Sequence, residues 1–171
     1  MILDIVKKPN SILRQKTNVI QPEEIANYKT LITDMFETLK KYGGVGLAAP
    51  QVGLDLSLFV VSLEGQDYVF VNPVVIEASD EIAVQPEGCL SMPGIVLDVP
   101  RSKRIKAMYR DENGNQQVSD FDEWWARIFL HEFDHLQGIM IDDRVGPVKL
   151  MLAKKKAAKK ARLTSKLKKV R

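Results

Sequence analysis

The sequence predicts an α+β fold, with mostly antiparallel strands packed around a central metal-binding helix and with N-terminal and C-terminal helices. Three observations carry that expectation. Helical periodicity is confined to an early segment and to the last third of the chain, and short β-type runs lie between them without βαβ alternation. Asn113-Gly114 is a strong two-residue hairpin signal. The pattern His131-Glu132-Phe133-Asp134-His135 lies in a helical segment and takes both histidines of the chain.

The elements follow in order. Pro22-Glu23-Glu24 reads as a helix start, with acids near the positive end of the dipole. Ile25, Tyr28, Leu31, Ile32, Met35 and Leu39 repeat at helical spacing, and Gly43-Gly44 ends the helix after Tyr42. Strand-like runs cover residues 57–63, 68–71, 74–76, 81–85, 95–99 and 104–110, with Gly65-Gln66-Asp67 as a turn between the first two. Asp120 to Gln137 reads as a helix, with Asp120 as N-cap, Asp122 and Glu123 in the first turn and Gly138 as its stop. On it, Trp125, Ile128, Phe129, Leu136 and the ligand face are expected to be buried. Pro147 opens a basic segment free of glycine and proline after Pro147 itself, expected to be helical.

Composition bounds the function. A chain of 171 residues, 45% hydrophobic and 27% charged, suits one globular unit. We expect that unit over residues 1–148 and a basic helical tail over 149–171. No stretch approaches the ~20 apolar residues of a membrane span, and Asp4 and Lys7 interrupt the apolar start before a signal peptide could form. The single cysteine excludes an internal disulfide, so a reducing, cytoplasmic setting is expected. The net charge of +3 hides a split: residues 149–171 hold 11 Lys/Arg and no acid. Removing those 11 from the 25 Lys/Arg leaves 14 against 22 acids, a net of −8 over the body. Such a tail is either a solvated helix or a surface for a polyanion.

The chemistry concentrates in three strings. Two histidines at i and i+4 share one helix face, so both imidazoles reach one ion while Glu132 lies close enough to move a proton. A chance pair of surface histidines is the alternative. A third ligand is then needed. The extended H-E-x-x-H-x-x-G-x-x-H pattern fails, because Gly138 matches but Ile141 stands at the last position. No glutamate follows Glu132. Cys89, in Glu87-Gly88-Cys89-Leu90-Ser91, remains. A lone cysteine is often a small buried hydrophobe, but Gly88 permits close backbone approach, and Glu87 and Ser91 can hold the loop by hydrogen bonds. A thiolate and two imidazoles leave a fourth position open, as catalytic sites do. The third string, Gly44-Val45-Gly46-Leu47-Ala48-Ala49-Pro50-Gln51, lacks the Gly-Lys-Ser/Thr ending of a phosphate loop. Its small residues would let a substrate backbone lie close, and Gln51 offers an amide donor.

Together the three strings resemble one family, the peptide deformylases, whose patterns G-x-G-(small/apolar)-A-A-x-Q, E-G-C-x-S and H-E-x-D-H occur in this order. The resemblance extends over Pro9 to Arg14, Pro93 and Pro100-Arg101, or about residues 2–148. It departs at Leu130, Trp124, Trp125 and Val96, none of which is a ligand or a proton carrier. The resemblance implies an enzyme that removes the formyl group from the N-terminal formyl-methionine of new polypeptides. It implies that Cys89, His131 and His135 hold one divalent metal, with Glu132 as general base and then acid, and with Gln51 and the Leu90 N–H on the oxyanion. Val45, Gly46 and Gly88 would pair with the substrate backbone. Trp124, Arg127 (through its aliphatic stem) and Ile128 would form the methionine pocket. The donors suit Zn²⁺, Fe²⁺, Ni²⁺ or Co²⁺, and the family implies Fe²⁺ in the cell.

Two other readings stay open. An H-E-x-x-H metallopeptidase would share the helix but cleave internal peptide bonds. A non-enzymatic RNA- or ribosome-binding protein would rely on the tail. For a deformylase, the tail would dock on ribosomal RNA near the exit tunnel, where formylated chains emerge.

Overall fold

In the computed structural model, which describes residues 1–168, seven strands and three α-helices form an α+β fold in which every strand pairing is antiparallel. The strands are β1 (Gly46–Ala48), β2 (Leu58–Leu63), β3 (Gln66–Ala78), β4 (Ile82–Gly88), β5 (Val96–Ser102), β6 (Arg104–Arg110) and β7 (Gln116–Asp122). A five-stranded sheet has the order β1-β2-β3-β6-β7, and β4 and β5 form a separate pair. The helices are α1 (Lys29–Tyr42), α2 (Glu123–Leu136) and α3 (Pro147–Lys168).

Several local expectations shift for tertiary reasons. The first helix begins as a 3-10 turn, Pro22–Tyr28, before α1 takes over. The expected runs at 68–71 and 74–76 are one long strand, β3, whose register slips between Val71 and Val74. There Asn72 turns aside, accepting from Ile20 N–H at 2.9 Å and donating to Ile20 C=O at 2.7 Å. The β2–β3 turn is Glu64-Gly65, and Gln66 and Asp67 already pair as strand. The Asn-Gly hairpin is real, but its loop runs from Asp111 to Asn115, with the Asp111 carboxylate accepting from the N–H groups of Asn113 and Asn115. Asp120 is not the N-cap of the motif helix. Lys106↔Asp120 and Arg104↔Asp122 pairing keeps that segment extended, so Asp122 becomes the N-cap and α2 starts at Glu123.

The apolar faces meet in three clusters. α1 lays Ile32, Met35 and Leu39 on β1, β2 and β3. α2 buries Ala126, Ile128, Phe129 and Leu136 on the other side of those strands and β6. There Phe129 meets Phe59 and Phe70 edge-on, with centroids at 5.1 and 5.2 Å. Trp125, expected to be buried, is half-buried against Tyr68 and Phe121. The third cluster joins β5 to Leu13, Met140 and Ile141, and Leu150 and Ala153 of α3 pack on it. Beyond those first two turns, α3 is mostly exposed through residue 165. The end of α2 is set by Gly138, at φ 72°, where a Cβ would lie 2.6 Å from the Arg14 carbonyl carbon. Only glycine fits there on both counts. Residues 169–171 of the expected tail lie outside the described residues.

Candidate functional site

α2 carries His131, Glu132, Asp134 and His135, and Cys89 follows the end of β4. The fold brings these distant strings together. One ligand atom each of Cys89, His131 and His135 lies within 4.8 Å of the other two, and Cys89 Sγ is 3.3 Å from His135 Nε2. A thiol and two imidazoles converging at this spacing fit a divalent cation of borderline softness.

The supporting shell is ionic. His131 Nδ1 meets Glu87 Oε2 at 2.8 Å, which directs the other ring nitrogen toward the cluster. Glu87 also accepts a fork from Arg101, Nε at 2.7 Å and Nη2 at 2.9 Å, and a bond from Arg127 Nη1 at 2.5 Å. Arg101 reaches on to Asp134 Oδ2 at 2.8 Å, and Arg144 closes on Asp134 from the following turn. Burial pushes the Glu87 carboxyl up, but the bonds from His131 and Arg101 outweigh it and hold the pKa down at about 2. A buried ion network is sound only when its members are satisfied, and here Glu87 and Asp134 are.

Burial likewise disfavours a charge on His131, yet its hydrogen bonds to Cys89 and Glu87 win and raise it to about 10. His135 is driven well below its ordinary value by burial and then by His131. Glu132 differs from Glu87. It is buried, among the described residues it has no salt bridge and its Oε2 no hydrogen-bond partner, and its pKa rises to about 7, first through burial. A carboxyl titrating near neutrality beside an open cavity is suited to accept and return a proton.

Gln51 sits in a 3-10 turn, Ala49–Val52, directly after β1. The Ala48 N–H, which can only donate, meets Gln51 Oε1 at 2.8 Å, so the Gln51 NH₂ must face Cys89, at 3.6 Å from Sγ. The Gly44–Gln51 string contains an edge strand, which its sequence did not announce. Among the described residues β1 pairs only with β2, and its Gly46 lines the site.

A cavity of about 540 Å³ unites these groups. Val45, Gly46 and Gln51 line it, together with Gly88, Cys89 and Leu90. Trp124, Arg127, Ile128, His131 and Glu132 of α2 complete it, while buried His135 stands behind. The Arg127 guanidinium is committed to Glu87 and to the carbonyls of Val99 (3.0 Å) and Ala83 (2.8 Å). A second depression of about 460 Å³, between β3, β6 and β7, holds none of the motif residues.

Two expectations are corrected. Ser91 does not hold the cysteine loop through its hydroxyl, which is buried without a partner. Backbone bonds do so, Met92 N–H to Cys89 C=O at 2.9 Å and Lys8 N–H to Ser91 C=O at 3.0 Å. Gly88 is not crowded by protein, since a Cβ there would meet nothing nearer than Ile95 O at 3.9 Å. Sequence reasoning missed the ionic roles of Arg101 and Asp134. Both had a signal, the Pro100-Arg101 pair and the fixed Asp inside the helix motif.

An α+β scaffold with a buried Cys-His-His cluster and an unpaired carboxylate beside it defines a metal-dependent hydrolase. The family model for polypeptide deformylase matches residues 2–151. The chain is 44% identical to the peptide deformylase of Thermotoga maritima over 130 residues, 76% of this chain and 79% of that one. It is 43% identical to that of Borreliella burgdorferi over 145 residues, 82% and 86% of the two chains. The solved peptide deformylase of Legionella pneumophila superposes with a TM-score of 0.85 at 33% identity, covering 96% of this chain and 98% of that chain. That of Synechococcus elongatus, in complex with actinonin, gives 0.85 at 35%, covering 91% and 86%. The chain belongs to the polypeptide deformylase family, metal-dependent hydrolases that remove the formyl group from N-terminal formyl-methionine of new polypeptides.

Proposed function

We propose that Cys89, His131 and His135 hold one divalent cation, Fe²⁺ in the cell, and that Zn²⁺, Ni²⁺ or Co²⁺ can take its place. When bound, the ion supplies Lewis acidity to the formyl carbonyl and brings the attacking water toward a pKa of ~7. Glu132 takes the proton of that water through its unpaired oxygen and returns it to the leaving amine. The Gln51 NH₂ and the Leu90 backbone N–H donate to the developing oxyanion. Val45 and Gly46, on the free edge of β1, and Gly88 pair with the substrate backbone as an added strand. Ile128, the Arg127 stem and Trp124 enclose the methionine side chain.

The observation that carries this reading is the convergence of three ligand atoms within 4.8 Å beside a buried, unpartnered carboxylate oxygen. The test is release of formate from formyl-Met-Ala against cleavage of casein, with metal analysis of anaerobically purified protein. Formate release at one metal per chain, without casein cleavage, is expected. Casein cleavage would favour the metallopeptidase reading, which a Cys89 ligand and the family membership disfavour.

We further infer that residues 1–148 form the deformylase catalytic domain and that residues 149–171 are a basic tail, whose start, Leu150 and Ala153, packs on that domain. Among the described residues no helix is long and apolar enough to cross a membrane. A cytoplasmic enzyme whose tail meets ribosomal RNA near the exit tunnel accords with 11 cations unrelieved by any acid.

A further inference from the structure

The N-terminal segment crosses both catalytic loops. Val6 N–H donates to Gln51 C=O at 2.8 Å, and Lys8 N–H donates to Ser91 C=O at 3.0 Å. Backbone bonds on either side therefore pin Lys7. Val6 packs into the third apolar cluster, and the Lys8 ammonium is paired with Asp142. Ile5 and Lys7 line the cavity.

The charges around the cavity are unequal in availability. Glu87 and Arg127 are buried and bonded to each other, and Glu132, on α2, is buried against Gly46 of β1. The exposed lining residues mark the mouth, among them Tyr42, Pro93, Val96 and Trp124, which carry no charge. Lys7 is the one charged residue in that exposed set and has no ion-pair or hydrogen-bond partner for its side chain among the described residues. A peptide whose formyl end lies by Gln51 and Glu132 leaves through this mouth with its downstream residues.

We propose that Lys7 is a specificity-determining residue that reads a carboxylate on the downstream part of the formyl peptide. The inference rests on the deformylase reading of the cavity. The ammonium is a compact charge on a flexible stem, suited to meet a carboxylate over several positions beyond the methionine. That carboxylate has two sources, an Asp or Glu side chain or the free C-terminus of a short peptide.

The experiment measures kcat/KM on C-terminally amidated formyl-Met peptides with Glu, Gln or Lys at the second to fourth residues, and on the Gln peptides with a free C-terminus. Wild type should prefer the Glu over the Lys series by about 2- to 5-fold, the worth of one exposed ion pair, mainly through KM and less at high salt. Lys7→Met should abolish that ratio and Lys7→Glu should invert it. Lys16→Met, which removes an exposed cation elsewhere, should retain it. A free-carboxylate preference that disappears in Lys7→Met supports the proposal with the chain terminus as the source, and a side-chain preference supports it with Asp or Glu. Hydrolysis by wild type with equal charge preference in wild type and Lys7→Met overturns it. A wild type that hydrolyses no formyl peptide sinks the deformylase reading as well.

Discussion

Gly46 and Glu132 occupy adjoining space. A Cβ built on Gly46 would lie 2.7 Å from Glu132 Cδ and 2.8 Å from its Cγ. The edge strand β1 thus reaches the Glu132 carboxylate only because residue 46 has no side chain. Gly46→Ala must push Glu132 aside. We expect kcat to fall by about 10²-fold, the scale for a ~1 Å misplacement of a reacting group, while metal content is kept. Formyl-peptide kinetics with metal analysis check this, and near wild-type kcat would contradict it.

Glu132→Gln keeps the shape but cannot cycle a proton. Activity should drop by ~10²–10⁴-fold or more with metal retained. Loss of the metal as well would make Glu132 a ligand.

Cys89→Ala should lose both tight metal binding and activity, because two imidazoles alone rarely keep a catalytic metal. Stoichiometric metal with full activity in this variant would remove Cys89 from the ligand set. Gln51→Leu should lower kcat more than it raises KM, the outcome expected of the proposed amide donor to the oxyanion. A pure KM effect would reassign Gln51 to substrate holding.

The Glu87 network makes stability depend on acid. The folded carboxyl titrates at about 2 against an ordinary 4.5. A depressed pKa means stabilisation that is full above about pH 4.5 and is lost as pH falls toward 2. A shift of this size corresponds to about 3 kcal/mol. Thermal unfolding across pH 2–6 should show that loss for the wild type. Glu87→Gln should be less stable at pH 7 and flatter over the same window; an identical slope would place the acid sensitivity elsewhere.

The tail should be separable, but not at Val148. Leu150 and Ala153 pack on the third cluster, so a cut after Val148 exposes core. Truncation after Lys155 should leave short-peptide hydrolysis within about 2-fold, since exposed surface away from the core is near neutral. It should also reduce salt-sensitive co-sedimentation with ribosomes. Unchanged co-sedimentation at equal salt would end the docking role.

The convergence of Cys89, His131 and His135 was legible because its information is local or compositional. Two histidines one helical turn apart, one cysteine and no glutamate after Glu132 leave few arrangements. The coarse order of a helix, several strands and two further helices was legible for the same reason, since periodicity is a short-range property, but β1 and β7 were not. Other features were not. Asp120 looks like a helix cap until β6 claims it through Lys106. The Gly44–Gln51 string shows only small residues in sequence until β2 turns part of it into an edge strand. Ser91 looks like a loop anchor, yet backbone bonds hold that loop. The sequence by itself determined which atoms could hold a metal and move a proton. Only the tertiary structure decided that Glu87, Arg101 and Asp134 share one buried ionic network, that Gly46 touches Glu132, and that Lys7 faces the cavity mouth. Those relations join residues tens of positions apart, and they follow from strand register and packing, which no short window of sequence specifies.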